Sequence, residues 1–153
     1  MKHEKLILVG LTFMLIRMNL KTSHDDLIFS ISQKHGNNPH LVKAIIFVES
    51  RFKPDAHRQT SREDSRGLGQ INKNLAYSLG VKNLNDLFDP AFNIEIMNRA
   101  IDDHKTRFDS IFDIIAAYNA GSVKLKKGSV FYINETYVKK VYSRFLLYSF
   151  LFV

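Results

Sequence analysis

The sequence predicts an all-α domain, and three observations carry that prediction. Two pairs, Asn38-Pro39 and Asp89-Pro90, place a capping side chain directly before a proline at the first helical position. Gly36, Gly80 and Gly121 each follow a helical stretch and supply its exit. Apolar residues recur at helical spacing, as in Leu41, Ile45, Val48 and Phe52.

The elements follow in order. Ser23 and Asp26 form a capping-box pattern, so residues 24–35 are predicted helical, up to Gly36. The second helix opens at Asn38-Pro39, runs to about Phe52 and is ended by Pro54. Asn74 to Leu79 forms a short helix before Gly80. Asp89-Pro90 opens a longer one, with Phe92 to about Arg107 carrying a stripe at Asn93, Met97, Ala100 and Ile101. Ile111 to Ala120 is apolar enough to be buried. Asn134 caps a last helix through Val138, Val141 and Phe145, and the stretch 124–133 before it is a loop or small hairpin.

At 153 residues, 45% hydrophobic and 24% charged, the chain has the size and composition of one globular domain and excludes a mainly disordered protein. It has no cysteine, which removes disulfides, thiolate zinc sites and cysteine nucleophiles. The net charge of +7 is concentrated: residues 122–153 hold six basic side chains against Glu135 alone. Such a tail favours an anionic partner, whether nucleic acid, lipid headgroups or a wall polymer, or is simply a solvated face. Lys124, Lys126 and Lys127 lie close together within it.

A short basic lead, Met1 to Lys5, precedes an apolar run from Leu6 to Ile16 and then Arg17. Eleven residues are too few to span a bilayer but suit the apolar region of an export signal; the other reading is a buried first helix. No small-x-small cleavage site follows. Residues 1–22 are therefore read as a signal peptide or short membrane anchor, and 23–153 as the functional domain. The expected location is exported, periplasmic or cell-envelope, with tethering by an uncleaved N-terminal segment.

One carboxylate falls in an unusual place. Glu49 follows Ile45 by four residues, so it lies on or beside the apolar stripe of the second helix. Burial there raises its pKa, and the negative end of the helix dipole pushes the same way. A Glu protonated near neutral pH is what general acid catalysis requires. The plainer reading is a stripe-edge Glu paired with Arg51, Lys53 or Arg66. Other constellations are weaker. The six histidines show no metal-binding spacing, no Gly-rich phosphate loop occurs, and Asp25-Asp26 and Asp102-Asp103 read as first-turn acids and solvated helix faces. No metal or cofactor is expected.

Four motifs then stand in order. They are Glu49-Ser50; Gly67-Leu68-Gly69-Gln70-Ile71 followed by Asp89-Pro90 with Asn93; Ala117-Tyr118-Asn119-Ala120-Gly121; and Glu135-Thr136-Tyr137-Val138. Gly67 and Gly69 allow a tight backbone path, and Gln70 offers a donor and an acceptor to a polar ligand. Tyr118 and Asn119 end a buried helix and so face an internal cleft, with Gly121 permitting the exit. Together the motifs resemble the soluble-type lytic transglycosylases of the goose-type-lysozyme-like superfamily, over roughly residues 25–145.

The resemblance implies a single lysozyme-like helical domain that acts on peptidoglycan glycan strands. It implies Glu49 as the sole catalytic acid/base, with Ser50, Gln70, Tyr118 and Asn119 around the saccharide and Tyr137 near the acid. It assigns Gly67, Leu68, Gly69, Asn93 and Gly121 to the framework. The implied reaction cleaves the bond between N-acetylmuramic acid and N-acetylglucosamine without water and closes a 1,6-anhydro ring. Hydrolysis of the same bond, or wall binding without catalysis, are the other functions in view. The expected partners are the glycan strands and a secretion apparatus or phage, with no nucleic acid, and the expected state is a monomer. Three departures stand out. Gly69 replaces the usual Met, a change expected to open the sugar-facing wall. The late motif is two residues shorter between Thr136 and Tyr137. The charged stretch from His57 to Arg66 reads as a long loop.

Overall fold

The computed structural model describes residues 12, 14–16, 20–129 and 131–151. Most of the expected export signal lies outside the described residues. The elements are helices α1 (Asp25–Lys34) and α2 (Pro39–Ser50), strands β1 (His57–Gln59), β2 (Asp64–Arg66) and β3 (Ile71–Asn72), helix α3 (Lys73–Ser78), a 3-10 helix (Leu84–Phe88), and helices α4 (Pro90–Lys105), α5 (Ile111–Ala120) and α6 (Glu135–Leu151).

Local chemistry sets most of the helix ends. Asn38 and Asp89 accept hydrogen bonds from the His40 and Phe92 amides, each directly before its proline. Ser110 caps α5 in the same way, and Gly121 takes the left-handed exit with φ 72°. Two expectations fail. His24, not Ser23, is the cap residue of α1 and makes no side-chain cap bond; Thr22 instead donates its hydroxyl to Asp25, 2.6 Å away. Helix α2 stops at Ser50, two residues short of Phe52, because Arg51 and Phe52 both adopt left-handed backbone (φ 55° and 63°). Pro54 lies beyond an end already made.

Helix α2 is the centre of the molecule. Val42, Ala44, Ile45 and Ile46 are fully buried, so the helix is enclosed on most sides rather than along one stripe. Val48 and Phe52 are only half-buried. Each enclosed isoleucine contributes roughly 1.5–3 kcal/mol of transfer free energy. Helix α6 packs along α2, and α4 adds Ile94, Met97, Ala100 and Ile101 to the same core. Asp25 is buried, contrary to its reading as a solvated acid: it pairs with the enclosed Lys43 at 2.8 Å, tying α1 to α2. A buried charge without that partner would be costly. At the far side of α1, His35 bridges Asp102 (2.6 Å) and Glu95 (3.0 Å) on α4. Burial alone would lower the His35 pKa, but the two carboxylates outweigh it and raise it.

The stretch from His57 is a sheet, not a loop. Strands β1, β2 and β3 pair antiparallel in sequence order, with Arg58 opposite Ser65 and Ser65 opposite Asn72. Alternating apolar residues are absent here, so no strand pattern was visible in the sequence. The 3-10 helix was likewise unmarked. Residues 124–133 do form a small hairpin: the Lys126 amide donates to Phe131 O, the Ile133 amide to Lys124 O, and Leu125 faces Tyr132.

The turn between β2 and β3 is fastened by one side chain. Asn93, fully buried on α4, accepts from the Gly69 amide (2.8 Å) and donates to Leu87 O (2.8 Å) and Arg66 O (3.1 Å). The approach is so close that a Cβ at Gly67 would lie 2.1 Å from Leu87 O, and its φ of 74° also selects glycine. At Gly69 a Cβ would meet Met97 Cγ at 2.4 Å, its sulfur at 2.5 Å and the Tyr118 hydroxyl at 2.7 Å. The space beside Gly69 is therefore filled by Met97 and Tyr118, and the expected opening of the wall does not occur.

This packing makes a direct prediction. Gly69→Ala should destabilise the fold by about 1–3 kcal/mol, the usual range for overpacking. Met97→Ala should relieve part of that cost, so a double-mutant cycle by thermal melting should show favourable coupling. Additive effects would show that Met97 is not what excludes a side chain at position 69.

Candidate active site

Helix α2 ends inside a cleft of about 530 Å³. Glu49 reaches it from the last turn of α2, the turn between β2 and β3 contributes Gln70, and the end of α5 contributes Tyr118, Asn119 and Gly121. The geometry thus gathers five of the expected site residues from segments up to 72 positions apart in the chain. Tyr137, from the first turns of α6, completes the arrangement: its hydroxyl donates to Glu49 Oε1 at 2.6 Å. The shortened late motif therefore still delivers its tyrosine to the acid.

Burial pushes the Glu49 carboxyl up to about 7 from an ordinary value of 4.5, against the Tyr137 hydrogen bond, which favours the ionised form. The nearby charge of Glu63 adds to the rise and that of Arg58 opposes it. Arg51, Lys53 and Arg66 do not partner Glu49. Arg66 is held by Asp64 at 2.9 Å, and the Arg51 guanidinium stacks 4.2 Å from the centre of the Phe47 ring. Burial and the nearby Glu49 charge raise the hydroxyls of the buried Tyr118 and the half-buried Tyr137 well above the usual value near 10. They remain hydrogen-bond donors at any working pH. Tyr118 donates to Gly69 O at 3.0 Å and so braces the same turn that Asn93 fastens.

Two expected contributions are different in detail. The Gln70 side-chain amide donates to Ala56 O (2.9 Å) and Gly67 O (3.1 Å), so its donor serves the framework. Its carbonyl oxygen has no partner among the described residues and is the group left for a ligand. The backbone of Gln70 is left-handed, φ 47°, a conformation that costs a non-glycine residue on the order of 1 kcal/mol and that the surrounding hydrogen bonds hold in place. Ser50 does not line the cleft. It is buried, and its hydroxyl turns back to Ile46 O at 3.3 Å. Leu68 is fully enclosed and acts only as core. Asn119 is exposed at the rim, its oxygen accepting from Asn134 at 3.0 Å.

The sequence did not disclose the opposite wall. Arg58, Glu63 and Ser65 face the cleft from β1, the β1–β2 connection and β2, and Asp103, His104 and Arg107 line it from the end of α4 and just beyond. Glu63 is fixed by the Ser65 hydroxyl at 3.0 Å and Arg58 Nε at 3.1 Å. A charged stretch with no periodicity carries no signal that it will fold against the Glu49 carboxyl. Among the described residues no cluster of three or more His, Asp or Glu side chains is placed to hold a metal ion.

The site can therefore deliver one proton near neutral pH from a single enclosed carboxyl, in a groove edged by hydrogen-bonding side chains. Among solved structures, the chain is similar to an inactive mutant of the lytic transglycosylase Slt from Pseudomonas aeruginosa, with a TM-score of 0.63 and 19% identity. The match covers 83% of this chain and 24% of that one, and at such identity it is a likeness of fold. No curated protein matches the sequence. The sequence model described as the transglycosylase SLT domain matches residues 26–136, which takes in Glu49, the fastened turn, the cleft tyrosine of α5 and the start of α6. That match spans well over half of the chain, which belongs to the transglycosylase SLT domain family.

Proposed function

We propose that this protein is a peptidoglycan lytic transglycosylase that cuts the β-1,4 bond between N-acetylmuramic acid and N-acetylglucosamine without water. The observation that carries the reading is the enclosed Glu49, with its pKa near 7 and its one described hydrogen bond from Tyr137. In the protonated state Glu49 gives its proton to the glycosidic oxygen as the bond to the muramyl carbon breaks. The substrate's own acetamido group stabilises the cationic carbon, so no second carboxylate is needed. The Glu49 carboxylate, now accepting from Tyr137, takes the proton of the muramyl 6-hydroxyl as that oxygen closes the anhydro ring. The acid is thereby restored. Gln70 Oε1 and the Asn119 side chain are positioned to meet the sugar at the cleft edge.

One observation favours a second reading, a hydrolytic muramidase: Glu63 is a second carboxylate on the same cleft. Its two oxygens are already engaged by Ser65 and Arg58, so neither is held free to orient an attacking water, which favours the lyase. Mass spectra of digested cell-wall sacculi separate the two. The expected products end in 1,6-anhydromuramyl groups; products heavier by one water would establish the hydrolase.

Glu49→Gln should reduce turnover by at least about 10²-fold, since the amide cannot exchange a proton. The same variant should melt higher than the wild type above pH 7. A carboxyl raised from 4.5 to about 7 by folding contributes stability that is full below 4.5 and is lost as pH rises through 7. The amide escapes that loss, on the order of 1–2 kcal/mol after solvent screening. Tyr137→Phe removes the bond that favours the ionised carboxylate, so the alkaline limb of kcat/KM should move to higher pH, with a smaller loss of rate than in Glu49→Gln. A well-folded Glu49→Gln protein with substantial activity would exclude the mechanism.

The proposal includes export to the cell envelope, supported by the basic lead and apolar run of residues 1–17. Fractionation of cells expressing the full chain should find it outside the cytosol. Recovery in the cytosol alone would overturn this part and leave the chemistry untouched.

A further inference from the structure

The cleft makes no use of the outward side of α6. Val138, Val141, Tyr148 and Leu151 point into the core. Lys139, Ser143, Leu146 and Phe150, with Lys140 and Leu147 beside them, recur at three- and four-residue intervals and share the other side. The chemistry changes along this side. Its first half is cationic, and its second half is apolar, with Leu146 50% and Phe150 69% exposed.

The hairpin just before α6 repeats the combination. Leu125, Phe131 and Ile133 are each more than half exposed, among Lys124, Lys126 and Lys127. Glu135 joins the two features: it accepts from Lys126 of the hairpin at 3.1 Å and from Lys139 of α6 at 2.5 Å. The result is one surface with a basic belt and a protruding apolar cluster on either side. Lys124, Lys127 and Lys140 make no ion pair among the described residues.

A groove of about 550 Å³ between α2 and α6 adds to the belt. There Arg51 and Arg144 both stack on Phe47, at 4.2 and 3.7 Å from the ring centre. Arg51 is held in place by its left-handed backbone at the end of α2. Its lining includes Lys139 and Lys140 but no carboxylate. Two guanidiniums on one ring, beside Lys140 and with only Lys139 in an ion pair among the described residues, favour the approach of an anion.

We propose that this surface, formed by the hairpin and the outer side of α6, docks the protein on an anionic lipid bilayer. The two chemistries match the two parts of such an interface. The exposed Leu and Phe side chains enter the boundary of the acyl region, and the cations meet the headgroups. A charged wall polymer would satisfy the cations and leave the apolar clusters in water. A second copy of the chain would bring the cations of both belts together. The protein lies on the surface: among the described residues, no helix is long and apolar enough to cross a membrane. Docking in this way would bring the cleft close to the bilayer, independently of what the cleft cuts.

Sedimentation of the full chain with vesicles tests the proposal. Vesicles containing phosphatidylglycerol should bind more protein than vesicles of phosphatidylcholine alone, and the excess should fall as salt rises. Each cation near an anionic surface strengthens binding roughly fivefold, so Lys124→Gln, Lys127→Gln and Lys140→Gln together should weaken it on the order of 100-fold at low salt. Phe131→Ser with Leu146→Ser should also weaken it, with melting curves confirming that both variants fold. Equal binding to both vesicle types, or unchanged binding of both folded variants, would overturn the proposal. So would a triple-lysine effect seen with purified sacculi but not with vesicles, or a dimer that buries Phe131 and Leu146.

Discussion

The rest of the site depends on the hydrogen bond from Tyr137 to Glu49, because it settles a conflict that burial alone cannot. A carboxyl enclosed in an apolar helix is driven toward its neutral form, and one that could never ionise would be a poor partner in a two-step proton exchange. The phenol at 2.6 Å gives the ionised state a partner without adding a charge, leaving the pKa near 7, where both states are accessible. This requires α6 to pack along α2 with its first turns beside the last turn of α2. The two helices share the most extensive interface among the described elements, so the carboxyl and its donor are both placed by packed helices rather than by loops.

The opposite side of the cleft is held by a different device. Asn93 satisfies three backbone groups of the turn region from a fully buried position, and Tyr118 holds a fourth. An unpaired amide or carbonyl in such a place would cost on the order of 1–3 kcal/mol. The two glycines follow from this clasp: the backbone lies so close to α4 and α5 that a side chain cannot enter. Gln70, pinned by its own amide in a left-handed conformation, carries the turn out of the clasp and into the cleft. Polar satisfaction is thus concentrated beside the cleft, and Gln70 carries its strain there, while Arg51 and Phe52 carry theirs at the end of α2.

The surface beyond the cleft has its own logic. The basic excess of the C-terminal part, diffuse in the sequence, is gathered by the fold into a belt that spans the hairpin and the outer side of α6. One of the three lysines of the tight cluster, Lys126, is engaged by Glu135 and acts as a link between the two elements. The last turns of α6 divide in the same way, with Tyr148 and Leu151 in the core and Leu146 and Phe150 outside. Helical periodicity separates one stretch of sequence into a packing side and an exposed side.

What the sequence determined by itself was whatever is decided within a few residues. The Asn-Pro and Asp-Pro starts, the Gly121 exit, the span of α5 and the placing of Glu49 beside an apolar stripe all follow from caps and from the 3.6-residue period. The ordered motifs added the acid and its surroundings. Tertiary structure alone decided the contacts between distant residues: Tyr137 against Glu49, 88 positions away, Met97 in the space beside Gly69, and Lys43 enclosed with Asp25. It also turned a charged stretch with no strand pattern into the sheet that faces the acid, diverted the Gln70 donor to the backbone and turned the Ser50 hydroxyl away from the cleft. The physical reason is the same in each case. A local signal fixes backbone conformation, but the partner of a buried polar group, and the shape of the space beside a glycine, exist only once separate segments have packed together.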